Sequence, residues 1–153
     1  MHIPENYLSP STCGVMTAAM IPVWYKCCKN IKENVSQEKL PMIGVGAAFS
    51  FVVMMFNIPI VGGSSGHAIG GTLLAILLGP DAACIAVSVA LLIQAVLFGD
   101  GGILAFGANC FNMAFVLPFV GYFLYRLLSK NAKSNSRKLF AAFVSSYIAI
   151  NVA

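Results

Sequence analysis

Charged side chains are too few in this sequence to cover the surface of a water-soluble fold. The 153 residues include nine basic and five acidic side chains, 9% of the chain, against 59% hydrophobic residues. Soluble domains carry roughly 25% charged residues, and a soluble chain needs a polar surface around its core. Most of this chain must therefore have lipid as its solvent, which excludes soluble enzymes, nucleic-acid-binding proteins and disordered tails.

Long apolar segments predict α-helices, because a backbone in lipid must satisfy its own hydrogen bonds. Four segments approach the roughly 20 residues that cross about 30 Å of hydrocarbon: residues 8–25, 40–60, 82–98 and 108–125. Residues 67–79 form a shorter run, and residues 139–153 begin another. The sequence predicts an all-α integral membrane protein, a single domain over residues 1–153. We expect six visible transmembrane helices, the sixth truncated, and a seventh in the full chain.

The basic residues set the expected orientation of this bundle. They fall in two stretches, Lys26, Lys29, Lys32 and Lys39, and then Arg126, Lys130, Lys133, Arg137 and Lys138. Cytoplasmic loops are enriched in Lys and Arg, and an even number of predicted crossings separates the two stretches. We therefore expect both stretches in the cytoplasm and the N-terminus outside. The first residues lack the basic region of a signal peptide, so we expect the mature chain to begin at Met1.

The two histidines, His2 and His67, share the expected external side. A free α-amine, the amide nitrogen and the imidazole of a second residue can chelate one metal ion, and another imidazole would complete four nitrogen ligands. Planar nitrogen ligands favour Ni(II) or Cu(II), imidazole also suits zinc and iron, and cobalt accepts this set with further ligands. The amine would belong to Met1, because initiator methionine is generally retained before a large residue. The alternatives are an idle terminal histidine and a His67 that only donates a hydrogen bond.

We expect His67 to open the third helix, directly after a run of glycine and serine at residues 62–66. The positive end of that helix would keep the imidazole neutral, as a metal ligand must be. A helix of about 13 residues is too short to span the bilayer, so the loop before it should line a cavity. Three residues are candidate pocket or supporting groups, with caps, turns or packing as alternatives: Ser65, Asp100 and Asn109.

Other polar residues carry weaker signals. Gln94 and Asn112 lie within apolar segments, where polar groups usually face the bundle interior, either to pack or to line a cavity. The five cysteines lack the spacing of a zinc site. The sequence contains no phosphate-binding loop, so an ATP-driven process would need its ATPase on another chain.

Several motifs together resemble the CbiM/NikM family, the cobalt and nickel substrate-binding subunits of energy-coupling-factor transporters. They are Met-His-Ile-Pro at 1–4, Ser-Gly-His at 65–67, Gly-Pro at 79–80, Gly-Asp-Gly-Gly at 99–102 and Gly-Ala-Asn at 107–109. Their order and spacing match over essentially the whole chain. The chain departs from the family at Asn6, where glycine is more usual, and in lacking the last helix.

The resemblance implies a non-enzymatic subunit of about seven helices in the inner membrane of a prokaryotic cell, which captures Ni(II) or Co(II) outside as transported substrate. Its metal ligands would be the Met1 amine, the His2 amide and imidazole, and the His67 imidazole. The implied partners are a transmembrane coupling subunit, two cytoplasmic ATPases and a small accessory membrane subunit. Cobalamin biosynthesis would be one use of the metal. The alternatives are a vitamin-binding subunit of the same transporter type and an accessory subunit without a ligand.

Overall fold

The computed structural model describes residues 2–4, 7–60, 64–130, 132 and 134–153, with the backbone alone at 60, 64 and 65. Over these residues the chain forms six continuous helical segments and one hairpin of two short strands. The elements are α1 (Pro10–Asn34), α2 (Leu40–Met55, entered through a 3-10 turn at Gln37–Lys39), β1 (Ile58–Ile60), β2 (Ser64–Gly66), α3 (Gly71–Leu78), α4 (Pro80–Ile93), α5 (Phe106–Asn109), α6 (Leu117–Ser129) and α7 (Asn135–Val152). A π-helical turn at Gln94–Phe98 extends α4, and another at Cys110–Val116 joins α5 to α6.

The helices have the lengths and surfaces of an integral membrane protein that crosses the bilayer several times. Among the described residues, three helices are long and apolar enough to cross a membrane: Gln37–Met55, Pro80–Phe98 and Phe106–Ser129. The 25 residues of α1 measure about 37 Å at 1.5 Å per residue. This helix continues to Asn34, nine residues beyond the predicted 8–25 segment. The prediction of an all-α membrane protein with six helices is confirmed.

Helix α4 lies at the centre of the bundle and packs against α1, α2 and α3. Its buried face consists largely of small side chains, among them Ala83, Ala86 and Ala90, which let helix backbones approach one another closely. The indole Nε1 of Trp24 on α1 donates to the Ser88 hydroxyl at 2.9 Å. This packing holds the C-terminal end of α4, where the π-helical turn begins, in a defined position beside α1.

The third helix begins later than the sequence predicted. It starts at Gly71 and spans eight residues, and its N-cap is Gly70, with φ at +77° and no capping side chain. The preceding chain pairs as an antiparallel hairpin in which Ile58 lies opposite Gly66. Because this hairpin ends at Gly66, His67 lies in a non-helical segment four residues before the helix. The prediction that His67 opens the helix is wrong, and so is the argument from the helix dipole.

The two ends of the bundle differ in chemistry. At one end the Asn30 amide donates to both carboxylate oxygens of Asp81 at 3.3 Å, so the end of α1 lies beside the start of α4. The antiparallel helices carry the basic turns toward this end. They carry His2, His67 and the segment after α4 to the opposite end. The side of the membrane that each end faces remains a prediction from the distribution of Lys and Arg.

Candidate metal-binding site

The two histidine rings are stacked face to face. The ring centroids of His2 and His67 lie 5.0 Å apart with an angle of 29° between the planes. His67 is 5% exposed, and the side chain of His2 is buried to the same degree. Residues separated by 65 positions in the chain thus lie together in the interior of the protein.

The surroundings of His67 leave one ring nitrogen free to bind a ligand. Its Nδ1 lies 3.3 Å from the Ala68 carbonyl oxygen, which places the ring proton on Nδ1. Its Nε2 is buried and has no hydrogen-bond partner among the described residues. Burial lowers the pKa of His67 below its ordinary value of 6.5, while the Ala68 contact and Asp100 act in the opposite direction. The imidazole is therefore neutral at pH 7, with a lone pair on Nε2.

The segment that carries His67 is anchored to α2. The Ser50 hydroxyl, fully buried in α2, donates to the Ile69 carbonyl oxygen at 2.6 Å. Gly70 then turns with positive φ against the ring of Phe49, 2.8 Å from where a Cβ would lie. These contacts fix residues 67–70 between α2 and α3, so the position of His67 depends on α2 as well as on the hairpin.

His2 lies beside a carboxylate. Its Nδ1 is 3.3 Å from Oδ2 of Asp100, while its Nε2 is buried without a hydrogen-bond partner among the described residues. Burial is the largest influence and lowers the pKa of His2, and His67 adds to this effect. Asp100 and the side chain of Gln94 act in the opposite direction. The net lowering favours a neutral ring that can bind a metal ion.

Asn109 attaches the N-terminal segment to the bundle. Its Oδ1 accepts from the Ile3 amide at 2.8 Å, and its Nδ2 donates to the Ile3 carbonyl at 3.2 Å. The same Nδ2 lies 3.3 Å from the Gly101 carbonyl. One buried amide thus pairs with both backbone groups of the residue after His2. Asn109 therefore holds the backbone next to His2; its part in a metal-binding pocket stays a prediction.

Asp100 is positioned by the π-helical turn at the end of α4. The Gln94 carbonyl accepts from the amides of both Gly99 and Asp100, and Gly99 has a φ of +65°. Gly101, with φ at +79°, permits the close approach of the N-terminal segment, since an added Cβ would lie 2.9 Å from Asn109 Nδ2 and 3.1 Å from His2 Cβ. The turn therefore directs the Asp100 carboxylate to His2, and the backbone at Gly101 lies against the same ring.

The sequence left Gln94 open between packing and lining a cavity, and it was not among the predicted site residues. It is fully buried, and neither Oε1 nor Nε2 has a hydrogen-bond partner among the described residues. Its side chain acts to raise the pKa of His2. The only sequence signal was a glutamine in an apolar segment six residues before Asp100, and its direction depends on the π-helical turn, which hydropathy does not reveal.

The remaining predicted site residues are less fully described. Met1 lies outside the described residues, and Ser65 lies in β2 with its side chain outside them. Within the described part of the chain, no three His, Cys, Asp or Glu side chains are grouped to hold a metal ion.

Comparison with known proteins places the chain among metal transport proteins. A family model described as the CbiM cobalt uptake substrate-specific transmembrane region matches residues 2–153. The chain is 55% identical over 155 residues to the probable fused nickel transport protein LarMN of Lactiplantibacillus plantarum, covering 100% of this chain and 46% of that protein. It is 39% identical over 147 residues to the cobalt transport protein CbiM of Lachnoclostridium phytofermentans, covering 94% and 59% respectively.

Two crystal structures share the fold. Both are described as a transition metal transporter, one of them truncated, and each has a TM-score of 0.90 and 54% sequence identity. Each comparison covers 99% of this chain, and 69% and 65% of the respective structures. The chain spans about half the length of the curated nickel transport relatives, which carry further sequence beyond the matched region.

Proposed function

Because the chain belongs to the CbiM family of cobalt uptake substrate-specific transmembrane regions, we propose that it captures Ni(II) or Co(II) as a transported substrate. The observation that carries the proposal is the pair of stacked, buried imidazoles of His2 and His67. On His67 the Ala68 carbonyl holds the proton at Nδ1, which leaves the unpartnered Nε2 to bind a metal ion. Outer partners of this kind commonly set the tautomer of a metal-binding histidine.

The proposed ligands are the Met1 amine, the His2 amide nitrogen, the His2 imidazole and the His67 imidazole. The amine and the amide nitrogen of residue 2 close a five-membered ring with the metal ion. The amide nitrogen and Nδ1 of the same residue close a six-membered ring, whereas Nε2 points away from its own backbone. Four nitrogen atoms in a plane suit Ni(II), and Co(II) accepts the same ligands.

Metal binding by this set requires the Asp100 carboxylate to give way. Asp100 lies at His2 Nδ1, the nitrogen that the chelate uses. A metal ion therefore replaces an existing contact: the ring proton passes from Nδ1 to Nε2, which keeps the imidazole neutral, and the proton of the His2 amide is released to solvent. The nearby carboxylate offsets part of the positive charge of a divalent ion.

The geometry favours a metal ion over a vitamin. The N-terminal segment itself fills the space beside His67, with the two ring centroids 5.0 Å apart. Asn109 and Gly101 hold that segment in place. A single ion fits among these groups, whereas an organic ligand would have to displace the N-terminal segment.

The chain acts within a larger assembly on this proposal. It forms no covalent intermediate, and separate ATPase chains and a transmembrane coupling subunit supply the energy that moves the metal ion inward. The N-terminal end of the bundle faces outward, and both basic turns face the cytoplasm.

Calorimetry on purified protein tests the proposed site. Wild type should bind one nickel or cobalt ion, and His67→Ala should lose tight binding. Two extra residues before Met1 should also abolish binding, and a protease that restores Met1 as the first residue should recover it. Unchanged affinity in the extended protein would exclude the amine as a ligand. Absence of bound metal in the wild type after loading with both ions would favour an accessory subunit without a ligand.

A further inference from the structure

The side chain of Asp100 connects the buried histidines to the surface of the protein. It is 42% exposed, whereas the side chain of His2, whose Nδ1 lies 3.3 Å from Asp100 Oδ2, is 5% exposed. His67 is also 5% exposed. A metal ion reaches these two rings from water, in which it carries a shell of water molecules. A carboxylate that touches both the solvent and a buried ring is therefore placed to meet the ion before the rings do.

Asp100 is also the one acidic side chain that the described part of the chain places at the histidine end of the bundle. Glu33 lies in the last turn of α1, and Glu38 lies in the 3-10 turn before α2, both at the end with the basic turns. Asp81 lies at that end as well, where the Asn30 amide donates to it. A divalent cation that arrives at the histidine end thus meets a single described acidic side chain, and that side chain touches His2.

The backbone fixes Asp100 while its side chain remains able to turn. The Gln94 carbonyl accepts from the Asp100 amide at 3.2 Å, and glycines with positive φ stand on either side, at Gly99 and Gly101. The carboxylate itself is attached through two rotatable bonds and is partly exposed. It can therefore move from His2 Nδ1 toward the solvent without any change in the fold of the turn.

We propose that Asp100 is the entry ligand of the metal site: its carboxylate binds the hydrated divalent cation first and leaves His2 Nδ1 in doing so. The inference rests on the proposed function, in which Nδ1 of His2 is a metal ligand. In the first stage a carboxylate oxygen replaces one water molecule on the ion, and the contact between Oδ2 and Nδ1 breaks. In the second stage the nitrogen ligands replace that oxygen and further water molecules, with the proton changes of the chelate itself.

A carboxylate has the chemistry of a transient ligand for these ions. Carboxylate oxygens suit magnesium, calcium and manganese, whereas imidazole nitrogens suit nickel. A nickel ion held by Asp100 is therefore bound more tightly after transfer to His2 and His67. The group that covers Nδ1 in the metal-free protein thus uncovers it when a cation arrives, so the chelating nitrogen is exposed only as it is needed.

Stopped-flow measurement of nickel association, followed by the absorbance of bound nickel, tests this role. Asp100→Asn removes the charge but keeps the shape and one oxygen that can accept from His2. Asp81→Asn is the matched control, because it removes the same charge at the opposite end of the bundle and keeps an acceptor for Asn30. We expect the association rate constant to fall about tenfold or more in Asp100→Asn, and to stay within about threefold of wild type in the control.

Two further readouts separate a direct ligand from other roles of the same charge. The difference between wild type and Asp100→Asn should persist in about 1 M salt, where screening over about 3 Å removes long-range attraction. Nickel affinity in calorimetry should fall by a smaller factor than the association rate constant, because the ion also leaves through Asp100 and its release slows too. A loss of affinity at least as large as the loss of rate would show that Asp100 only stabilises the bound state, and would overturn the entry role.

The remaining outcomes distinguish the inference from the function on which it rests. Equal association rates in Asp100→Asn and Asp81→Asn overturn the entry role and leave the metal site standing, when wild type binds nickel and His67→Ala does not. A difference that vanishes in high salt also overturns it, because a distant field would then account for the effect. An Asp100→Asn protein that fails to fold is replaced by Asp100→Ser, to which the same expectations apply. A wild type that binds no nickel overturns both proposals.

Discussion

Replacing Asn109 by leucine should weaken nickel binding by up to about 30-fold, although Asn109 is not a proposed ligand. Its amide makes two hydrogen bonds to the Ile3 backbone, at 2.8 and 3.2 Å. At about 1 kcal/mol net for each bond, docking of the N-terminal segment loses about 2 kcal/mol. Since 1.4 kcal/mol corresponds to a factor of ten, the ratio of docked to undocked N-terminal segments falls about 30-fold, and nickel affinity falls by up to the same factor.

Two measurements on the same proteins test this reasoning. Calorimetry gives the change in nickel affinity, and hydrogen exchange at the Ile3 amide gives the change in the free energy of opening of the N-terminal segment. Asn112→Leu is the matched control, because Asn112 lies in the adjoining π-helical turn three residues further on, and the hydrogen bonds of side chains to the Ile3 backbone come from Asn109 among the described residues. We expect the control to leave both quantities within about threefold of wild type.

If Asn109 acts by docking the N-terminal segment, the loss of nickel affinity cannot exceed the factor by which exchange of the Ile3 amide accelerates. If Ile3 exchange accelerates about 30-fold while affinity stays at the wild-type value, docking of the segment does not limit metal binding. If neither quantity changes, the hydrogen bonds of Asn109 contribute nothing measurable and the reasoning is refuted.

Three further predictions concern the surrounding structure. Gly101→Ala should weaken nickel binding at least tenfold more than Gly99→Ala. Both positions have positive φ, so both substitutions carry backbone strain of about 1–2 kcal/mol, but only at Gly101 does the added Cβ meet Asn109 and His2. Equal losses of nickel affinity in the two variants would contradict this reasoning. Gly107→Ala should reduce the free energy of unfolding by about 1–3 kcal/mol, because the added Cβ would lie 2.5 Å from the Thr17 Cα. The control is Gly14→Ala on α1, where an added Cβ meets open space, and it should be neutral or stabilising in the same thermal unfolding assay. The metal-free protein should be most stable above pH 6.5 and lose stability as pH falls through the lowered pKa values of His2 and His67, by at most about 1.4 kcal/mol per pH unit for each histidine. His67→Gln should reduce this dependence of the free energy of unfolding on pH, measured between pH 7.5 and 5.5. A loss of stability that begins above pH 7 would count against the assignment to these histidines.

Local sequence accounted for most of the helices but not for the chain between them. Residues 67–79 read as one apolar run, yet the helix begins only at Gly71. The cause is the pairing of Ile58–Ile60 with Ser64–Gly66, together with the bond from Ser50 to the Ile69 carbonyl. These contacts join separate parts of the chain, and the hydropathy of one stretch of sequence carries no information about them.

The candidate site was predictable to a similar extent. His2, His67, Asp100 and Asn109 were identified from the sequence and lie together in the structure. The part of Met1 in metal binding remains a prediction. Gln94 could not be assigned, because a glutamine in a helix faces the site or a neighbouring helix according to the local helical repeat, which changes at the π-helical turn.

The sequence by itself determined that this chain is a helical membrane protein, because partition between water and lipid depends on composition summed over each segment. It also determined that the two histidines would share one end of the bundle, since the number of crossings between them follows from the apolar segments. Only the tertiary structure decided the contacts among them. Three features set which nitrogen of each ring is paired and which is left unpaired: the hairpin, the hydrogen bonds of Asn109 to Ile3 and the turn at Gln94. Those choices depend on distances of a few ångströms between residues far apart in the chain.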